Sequence, residues 1–253
     1  MSKSPIKAKP LRNPGQSLDR RLVDILLDDI VVYLMAAGFL VVVAMQHWLI
    51  WFTQKPPNPW YISVAAAIAV IVATVKIRKS LKTAKNVKLG LEGERAVGQY
   101  LDRLHKRGAL VLHDIPGEGF NLDHVVIDVS GIYLIETRTL SKPDRGQAKL
   151  TFNGERIFKG QFELARNPII QVLAGTRWLR DLLESSTGRQ FPIRPVVVFP
   201  GWYVEKTQEA KQSSVWVLEP KALPSFIENS GKKLKPEDVN LCAFHLARYI
   251  RSS

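Results

Sequence analysis

Two acids stand near the ends of two neighbouring apolar runs, in the stretch NLDHVVIDVSGIYLIETRT of residues 121–139. Asp123 opens the first run, Glu136 closes the second, and the pair Ser130-Gly131 between them is typical of a hairpin turn. A two-residue turn there would place Asp123 opposite Arg138 on the facing strand. Because side chains alternate along a strand, we expect Asp123, Glu136 and Arg138 to project from one face at the open end of the hairpin.

Such a group of residues could hydrolyse a phosphodiester. Two carboxylates a few ångströms apart repel each other unless a cation lies between them, and Mg²⁺ is commonly held by two carboxylates, water and a substrate phosphate. The ion would polarise the phosphodiester and acidify an attacking water, while a cation such as Arg138 would contact the same phosphate. On spacing alone, acids at strand ends are more often solvated or paired structurally.

Hydrophobic periodicity predicts the elements that would position these residues. A helix at 169–183 is preceded by Asn167 as cap and Pro168 at the first helical position. The residues that point to either face of the hairpin strands are apolar, so we expect a sheet covered on both faces. The predicted elements are a helix at 89–104, strands at 109–113, 125–129 and 132–135, the helix at 169–183, strands at 195–199 and 215–218, and helices at 223–227 and 236–250.

The N-terminal third of the chain has the composition of a membrane anchor. The apolar run at 30–52 is long enough to span a bilayer, and a second, shorter run covers 60–75. The proline-rich connection at 53–59 is expected to be non-helical, so the two runs predict a helical hairpin. A signal peptide at 30–52 is the alternative, although the run is longer than the usual apolar region of such peptides and no cleavage site follows it.

The positive charge of the chain is concentrated around these apolar runs. The net charge is +13, but residues 1–29, Lys55 and residues 76–88 together carry thirteen Lys and Arg against four Asp, which leaves +4 for residues 89–253. This distribution predicts that both termini and the large C-terminal part face the cytoplasm. A charge of +4 is compatible with a nucleic-acid partner without requiring one. The single cysteine, Cys242, excludes an internal disulfide and a cysteine-rich zinc site.

Four segments resemble the nuclease-related domain (NERD) family, a branch of the PD-(D/E)xK restriction-endonuclease-like superfamily. Residues 90–94 (GLEGE) resemble the family's Gly-x-x-Gly-Glu, and residues 121–126 (NLDHVV) resemble its Asn/Gln-Ile-Asp-His. Residues 131–138 (GIYLIETR) resemble the strand that ends in Glu-Thr-Lys, and residues 167–171 (NPIIQ) resemble Asn-Pro-x-x-Gln. The segments occur in the family's order and agree with the predicted order of helices and strands.

The resemblance implies an α/β fold with a restriction-endonuclease-like αβββαβ core and a mixed sheet, preceded here by two transmembrane helices. It implies a catalytic site in which Asp123 and Glu136 bind Mg²⁺ or Mn²⁺, Glu94 assists at the same metal, and Gln171 is an accessory polar group. The substrate would be a nucleic acid, with DNA as the expected form. His124 is more often a packed core histidine than a ligand.

We therefore expect four regions and a location at the membrane. These are a basic cytoplasmic tail at 1–29, a transmembrane hairpin at 30–77, a basic linker at 78–88, and a nuclease-like domain with a C-terminal helical extension at 89–253. The expected location is the inner (cytoplasmic) membrane, as a multi-pass protein with both termini and the domain in the cytoplasm. The hairpin and its basic flanks would contact lipid.

Arg138 departs from the family pattern, in which a lysine occupies this position. Arginine can stabilise charge on a phosphate, but it stays protonated and cannot act as a base. Three functions stay open on these grounds. They are a membrane-anchored, divalent-metal-dependent nuclease, a catalytically impaired membrane-tethered nucleic-acid-binding protein, and a membrane-bound adaptor that contacts only protein.

Overall fold

The structure is a computed structural model that describes residues 11–54, 59–143 and 146–252. These residues form two compact units. One covers Leu18–Leu89, and the other joins residues 11–17 to residues 90–252. The second unit is thus discontinuous in sequence, and the predicted tail at 1–29 contributes residues to both.

The unit Leu18–Leu89 is helical and strongly apolar. Its two long helical segments have mean hydropathies of 2.3 and 2.0 over their most apolar stretches, of which only 6% and 11% is buried. Length and composition therefore allow both to cross a membrane, and the low burial differs from that of a core helix. Its elements are α1 (Gln16–Asp24), a π-helical segment (Ile25–Val31), α2 (Val32–Gln54) and the first part of α3 (Trp60–His105).

Helices α2 and α3 contact each other near the connection between them. The indole N–H of Trp48 donates to Ser63 Oγ at 2.7 Å, and the rings of Trp48 and Trp60 lie 5.8 Å apart. These contacts agree with the predicted hairpin. The connection is shorter than predicted because Thr53 and Gln54 belong to α2, and residues 55–58 of it lie outside the described residues.

Helix α3 continues without a break through the basic segment 78–88, which the sequence suggested as a linker. This segment contains no Gly or Pro, and five of its residues are Lys or Arg, which are good helix formers. The predicted second span, the linker and the helix at 89–104 are therefore one helix of 46 residues.

The other unit is a mixed α/β structure built on a five-stranded sheet. The predicted order of helix, three strands, helix and strand is confirmed. The sheet order is β1-β2-β3-β7-β9, in which β3 is antiparallel to β2 and parallel to β7. Its elements are β1 (Leu110–Pro116), β2 (Asn121–Asp128), β3 (Gly131–Thr137), α4 (Pro168–Thr187), β7 (Ile193–Val198), β9 (Trp216–Leu218), α5 (Leu223–Glu228) and α6 (Pro236–Ser252).

The register of the β2–β3 hairpin differs from the predicted one. Asp128 pairs with Gly131, so the loop is Val129-Ser130 and not Ser130-Gly131. The Asp128 carboxylate accepts a hydrogen bond from the Ser130 N–H at 2.9 Å, and Gly131 begins β3 with a φ of 140° that favours glycine. Continuing this register places Asp123 opposite Glu136 and not opposite Arg138. The even shift alone would retain the expected common face of the two acids, but the pairing ends at His124–Ile135 and β2 is irregular at Asp123.

Helices cover both faces of the sheet, as the apolar strands predicted. Alternate residues of β3 contribute to two separate clusters of buried side chains. Ile132 and Leu134 pack with residues of α4 and α6, whereas Tyr133 and Ile135 pack with residues of α3 and α5. Asn167 caps α4 as predicted, because its Oδ1 accepts the Ile169 N–H at 3.0 Å.

A second, four-stranded sheet was not predicted from the sequence. Its order is β6-β5-β4-β8, with β4 and β8 parallel. The strands contain only two to four residues each, too few for a clear alternation of polar and apolar side chains. They are β4 (Lys149–Phe152), β5 (Ile157–Lys159), β6 (Phe162–Glu163) and β8 (Tyr203–Lys206).

Candidate active site

Glu136 lies near the C-terminal end of β3, in the centre of the main sheet. It pairs with Val197 of the parallel strand β7 and is only 6% exposed. The sheet therefore fixes its backbone from both sides. A carboxylate held in this way is expensive to bury unless it has a partner or a proton.

Asp123 lies on β2, where the strand is irregular. Its Oδ2 accepts the N–H of Thr137 at 2.7 Å, which ties Asp123 to the end of β3. Side chains alternate in a regular strand, so Leu122 would lie on the same face of the sheet as Val126. Instead, Leu122 belongs to the same buried cluster as Val125 and lies beside Leu134. The pairing of β1 with β2 likewise passes from His113–His124 to Ile115–Leu122, so the pair between them is missing.

Glu94 reaches the site from α3 because the helix approaches the end of β3 closely. A Cβ atom built at Gly93 would collide with the side chain of Thr139, which follows β3. Glycine is therefore required for this approach, and it places the next residue, Glu94, near the acids of the sheet. Glu94 is only 7% exposed.

The three carboxylates are electrostatically coupled. Burial raises the pKa of Glu94 to about 9, with further contributions from the charges of Asp123 and Asp114, while a hydrogen bond from the Gly15 N–H opposes the rise. Burial also raises the pKa of Asp123 to about 6, against the hydrogen bond from Thr137 and the charge of Arg138. The pKa of Glu136 lies well above its usual range because of burial and the charge of Asp123.

Arg138 and Gln171 extend the site toward solvent. An Arg138 guanidinium N–H donates to Gln171 Oε1, and the same nitrogen lies 3.3 Å from Glu136 Oε1. Gln171 is exposed on α4, and the Arg138 side chain is 30% exposed. Within the described part of the chain, the buried Nε of Arg138 has no hydrogen-bond partner. One nitrogen of the guanidinium thus contacts two of the predicted site residues.

The donor set suits a hard divalent cation bound partly by water. Among residues 11–54, 59–143 and 146–252, no three His, Cys, Asp or Glu side chains are close enough to form a metal cage. Mg²⁺ commonly uses only one or two protein carboxylates and takes its other ligands from water and phosphate. The raised pKa values show buried carboxylates that repel each other, which a cation would relieve. Asp123 and Glu136 therefore fit such an ion.

His124 lies next to Asp123 in the sequence but interacts with a different partner. It is fully buried, and its Nδ1 lies 2.8 Å from Nδ1 of His113 on β1. Burial lowers the pKa of His113 to about 4 and that of His124 well below its usual range. A neutral, buried pair agrees with the interpretation of His124 as a core histidine.

Asp114 and the N-terminal residues near it were missed from the sequence. Asp114 is 2% exposed and takes part in the electrostatics of Glu94 and Asp123. A charged residue beside an apolar run is the only local signal for it. The residues that contact it lie about a hundred positions earlier in the chain, so no local pattern could have identified them.

One comparison with known proteins found a match over the region that contains this site. Residues 89–200 match the family model described as the nuclease-related domain, NERD. The matched region contains Glu94, Asp123, Glu136, Arg138 and Gln171. No curated protein matches the chain, and no solved structure matches it either.

Proposed function

Because this chain belongs to the nuclease-related domain family, we propose that it is a membrane-anchored, divalent-metal-dependent nuclease that hydrolyses nucleic-acid phosphodiester bonds. The observation that carries the proposal is the group of buried Glu94, buried Glu136 and half-buried Asp123 near the end of β3, with a cation beside it. Perturbed carboxylates of this kind are concentrated at functional sites.

Each residue has a distinct part in this proposal. Asp123 and Glu136 would hold Mg²⁺ or Mn²⁺. The bound ion would polarise the phosphodiester and lower the pKa of a water molecule. Glu94 would support the metal or the attacking water from α3. Arg138 stabilises negative charge on the phosphate, and Gln171 holds the guanidinium in place through the contact already described.

The anchor rests on the two apolar helices and on chain topology. Both helices are long and apolar enough to span a membrane. Residues 11–17 precede the first span, residues 90–252 follow the second, and both belong to one compact unit. Two crossings return the chain to the same side, so this unit requires an even number of spans. The basic flanks then favour a cytoplasmic location at the inner membrane.

The test is cleavage of plasmid and single-stranded nucleic acids by the full chain in lipid nanodiscs, with Mg²⁺, Mn²⁺ or chelator. We expect metal-dependent cleavage that falls at least about 100-fold in Asp123→Asn, since both oxygen ligation and charge are weakened. Asp128→Asn is the matched control, because it makes the same change on the same strand at the turn. A folded wild-type protein that cuts none of these substrates would sink the proposal.

Arg138 favours a second candidate, a nucleic-acid-binding protein that does not cut. Arginine cannot exchange a proton at neutral pH, and here it is engaged by Glu136 and Gln171. In that case the wild type binds DNA with a salt-dependent affinity and without turnover, and Arg138→Lys gains cleavage. Cleavage by the wild type that Arg138→Lys does not increase would exclude this alternative.

A further inference from the structure

Residues 11–17, here called the N-terminal strap, bind the domain beside the candidate active site. Their main partner is Asp114 on β1. Arg12 Nη1 donates to the Asp114 carbonyl oxygen at 3.0 Å and to its Oδ2 at 3.2 Å. Ser17 donates twice, from its N–H to Oδ2 at 3.1 Å and from its hydroxyl to Oδ1 at 2.7 Å.

Asp114 is held in a conformation that L-amino acids rarely adopt. Its φ of 49° is the only positive value for a non-glycine residue among those the structure describes. Asn121 Nδ2 adds another hydrogen bond to Oδ1 at 2.9 Å. This strained residue lies where the pairing of β1 with β2 is interrupted, directly across from Asp123. The strap thus supports the irregularity that positions Asp123.

The strap also contacts Glu94 directly. Gly15 is buried, and its backbone interaction with the Glu94 carboxylate lowers the pKa of that group. Its φ is +70°, and an added Cβ would collide with Leu91 Cδ1 and lie 3.4 Å from Glu94 Oε2. Pro14 packs against α3 at Gly98, where an added Cβ would be 2.7 Å from Pro14 Cγ. Close packing therefore fixes the strap against the turn of α3 that carries Glu94.

We propose that the N-terminal strap is a positioning element of the candidate active site, in which Arg12 and Ser17 set Asp123 through Asp114, and Gly15 orients Glu94. This inference rests on the proposed function and adds to it. In this proposal the strap acts through the carboxylates and not directly on the substrate or the metal. A nuclease-like domain that begins after the membrane hairpin would lack this part of the site.

The test compares matched pairs of variants in the full chain in nanodiscs. Arg12→Met removes the charge and both hydrogen bonds, whereas Arg12→Lys keeps a cation that can donate to both oxygens. In Gly15→Ala the added Cβ collides with the side chain of Leu91. Gly231→Ala is the matched control, because Gly231 has the same φ of +70° and nothing lies within 4 Å of the added Cβ. Circular dichroism verifies that each variant is folded.

The main readouts are Mn²⁺ binding, followed by electron paramagnetic resonance, and the steady-state constants for plasmid cleavage. We expect Arg12→Met and Gly15→Ala to weaken Mn²⁺ binding and to lower kcat by about tenfold each, with KM for nucleic acid within about twofold. Arg12→Lys should recover most of the loss, and Gly231→Ala should behave as wild type. Unchanged Mn²⁺ affinity and kcat in the first two variants would overturn the inference, as would increased cleavage, which would make the strap an inhibitory cover.

Hydrogen exchange separates failure of this inference from failure of the proposed function. If the wild type neither binds Mn²⁺ nor cuts, the proposed nuclease function fails. Exchange at residues 91–98 and 121–124 then decides the role of the strap alone. Faster exchange there in Arg12→Met than in Arg12→Lys supports positioning, and equal exchange in the two contradicts it.

Discussion

The two ends of the β2–β3 hairpin differ in how their polar groups are stabilised. At the turn, Asp128 accepts from Ser130, the Tyr133 hydroxyl donates to Ser130, and the Val129 carbonyl accepts two N–H groups at 2.8 and 2.9 Å. At the open end, carboxylates are buried close to each other and their pKa values rise. The turn contributes to the stability of the folded protein. The open end reduces that stability, because its carboxylates are buried.

The largest effect that this comparison predicts is for Glu136→Gln, in which activity and stability should change in opposite directions. Cleavage should fall at least about 100-fold, because a ligand of the metal is lost. The melting temperature should rise by a few degrees at neutral pH, because the raised pKa shows that burial and Asp123 outweigh the attraction of Arg138. Calorimetry without metal measures the second effect, and a lower Tm would show that the open end is stabilising.

The pH dependence of Glu94→Gln sharpens the same contrast. The pKa of Glu94 is about 9 in the folded chain, above its unfolded value of 4.5, so its contribution to stability is fully present below pH 4.5 and is lost as the pH rises toward 9. The free energy of unfolding of Glu94→Gln should therefore equal that of wild type near pH 4.5. Above that pH it should exceed the wild-type value by up to about 1.4 kcal/mol for each pH unit.

Urea unfolding in chelator, between pH 4.5 and 9, measures this difference. The buried His113 and His124 change the stability of both proteins alike below pH 6.5, so they cancel in the comparison. A difference that stays flat with pH would show that Glu94 is ionised in the folded protein.

The smallest predicted effect is at the turn, where Asp128→Ala removes the acceptor for the Ser130 N–H. We expect a loss of about 1 kcal/mol in the free energy of unfolding and no change in kcat. Asp128→Asn keeps an acceptor oxygen and should recover most of the stability. A marked loss of cleavage in Asp128→Ala would mean that the two ends of the hairpin are not independent.

Local sequence patterns predicted the elements of the main sheet and its helices in their order along the chain, because long apolar runs and the Asn167-Pro168 cap carry strong local signals. They also predicted that Asp123 and Glu136 lie near each other, and the charge of Asp123 does raise the pKa of Glu136, although the turn was placed at Ser130-Gly131. The side chain of Asp128 fixes the true turn, and hydrophobic alternation alone could not distinguish two registers that differ by an even shift.

The rest of the site depends on contacts between distant parts of the chain. Asp114 meets Arg12 and Ser17 across separations of 102 and 97 residues. No periodicity or motif spans such distances, and the residues in between form a separate helical unit. The small second sheet was missed for a different reason, since strands of two to four residues give no usable alternation.

The discontinuity of the α/β unit makes the helical unit Leu18–Leu89 a covalent tether between two parts of the candidate site. While the chain is intact, the strap meets the domain at the high effective concentration of an intramolecular partner. A single proteolytic cut within the exposed part of Leu18–Leu89 would turn the strap into a separate peptide, and its docking would depend on dilution. A domain shed from the membrane in this way would leave part of its active site behind, which would confine cleavage to anchored, unbroken molecules.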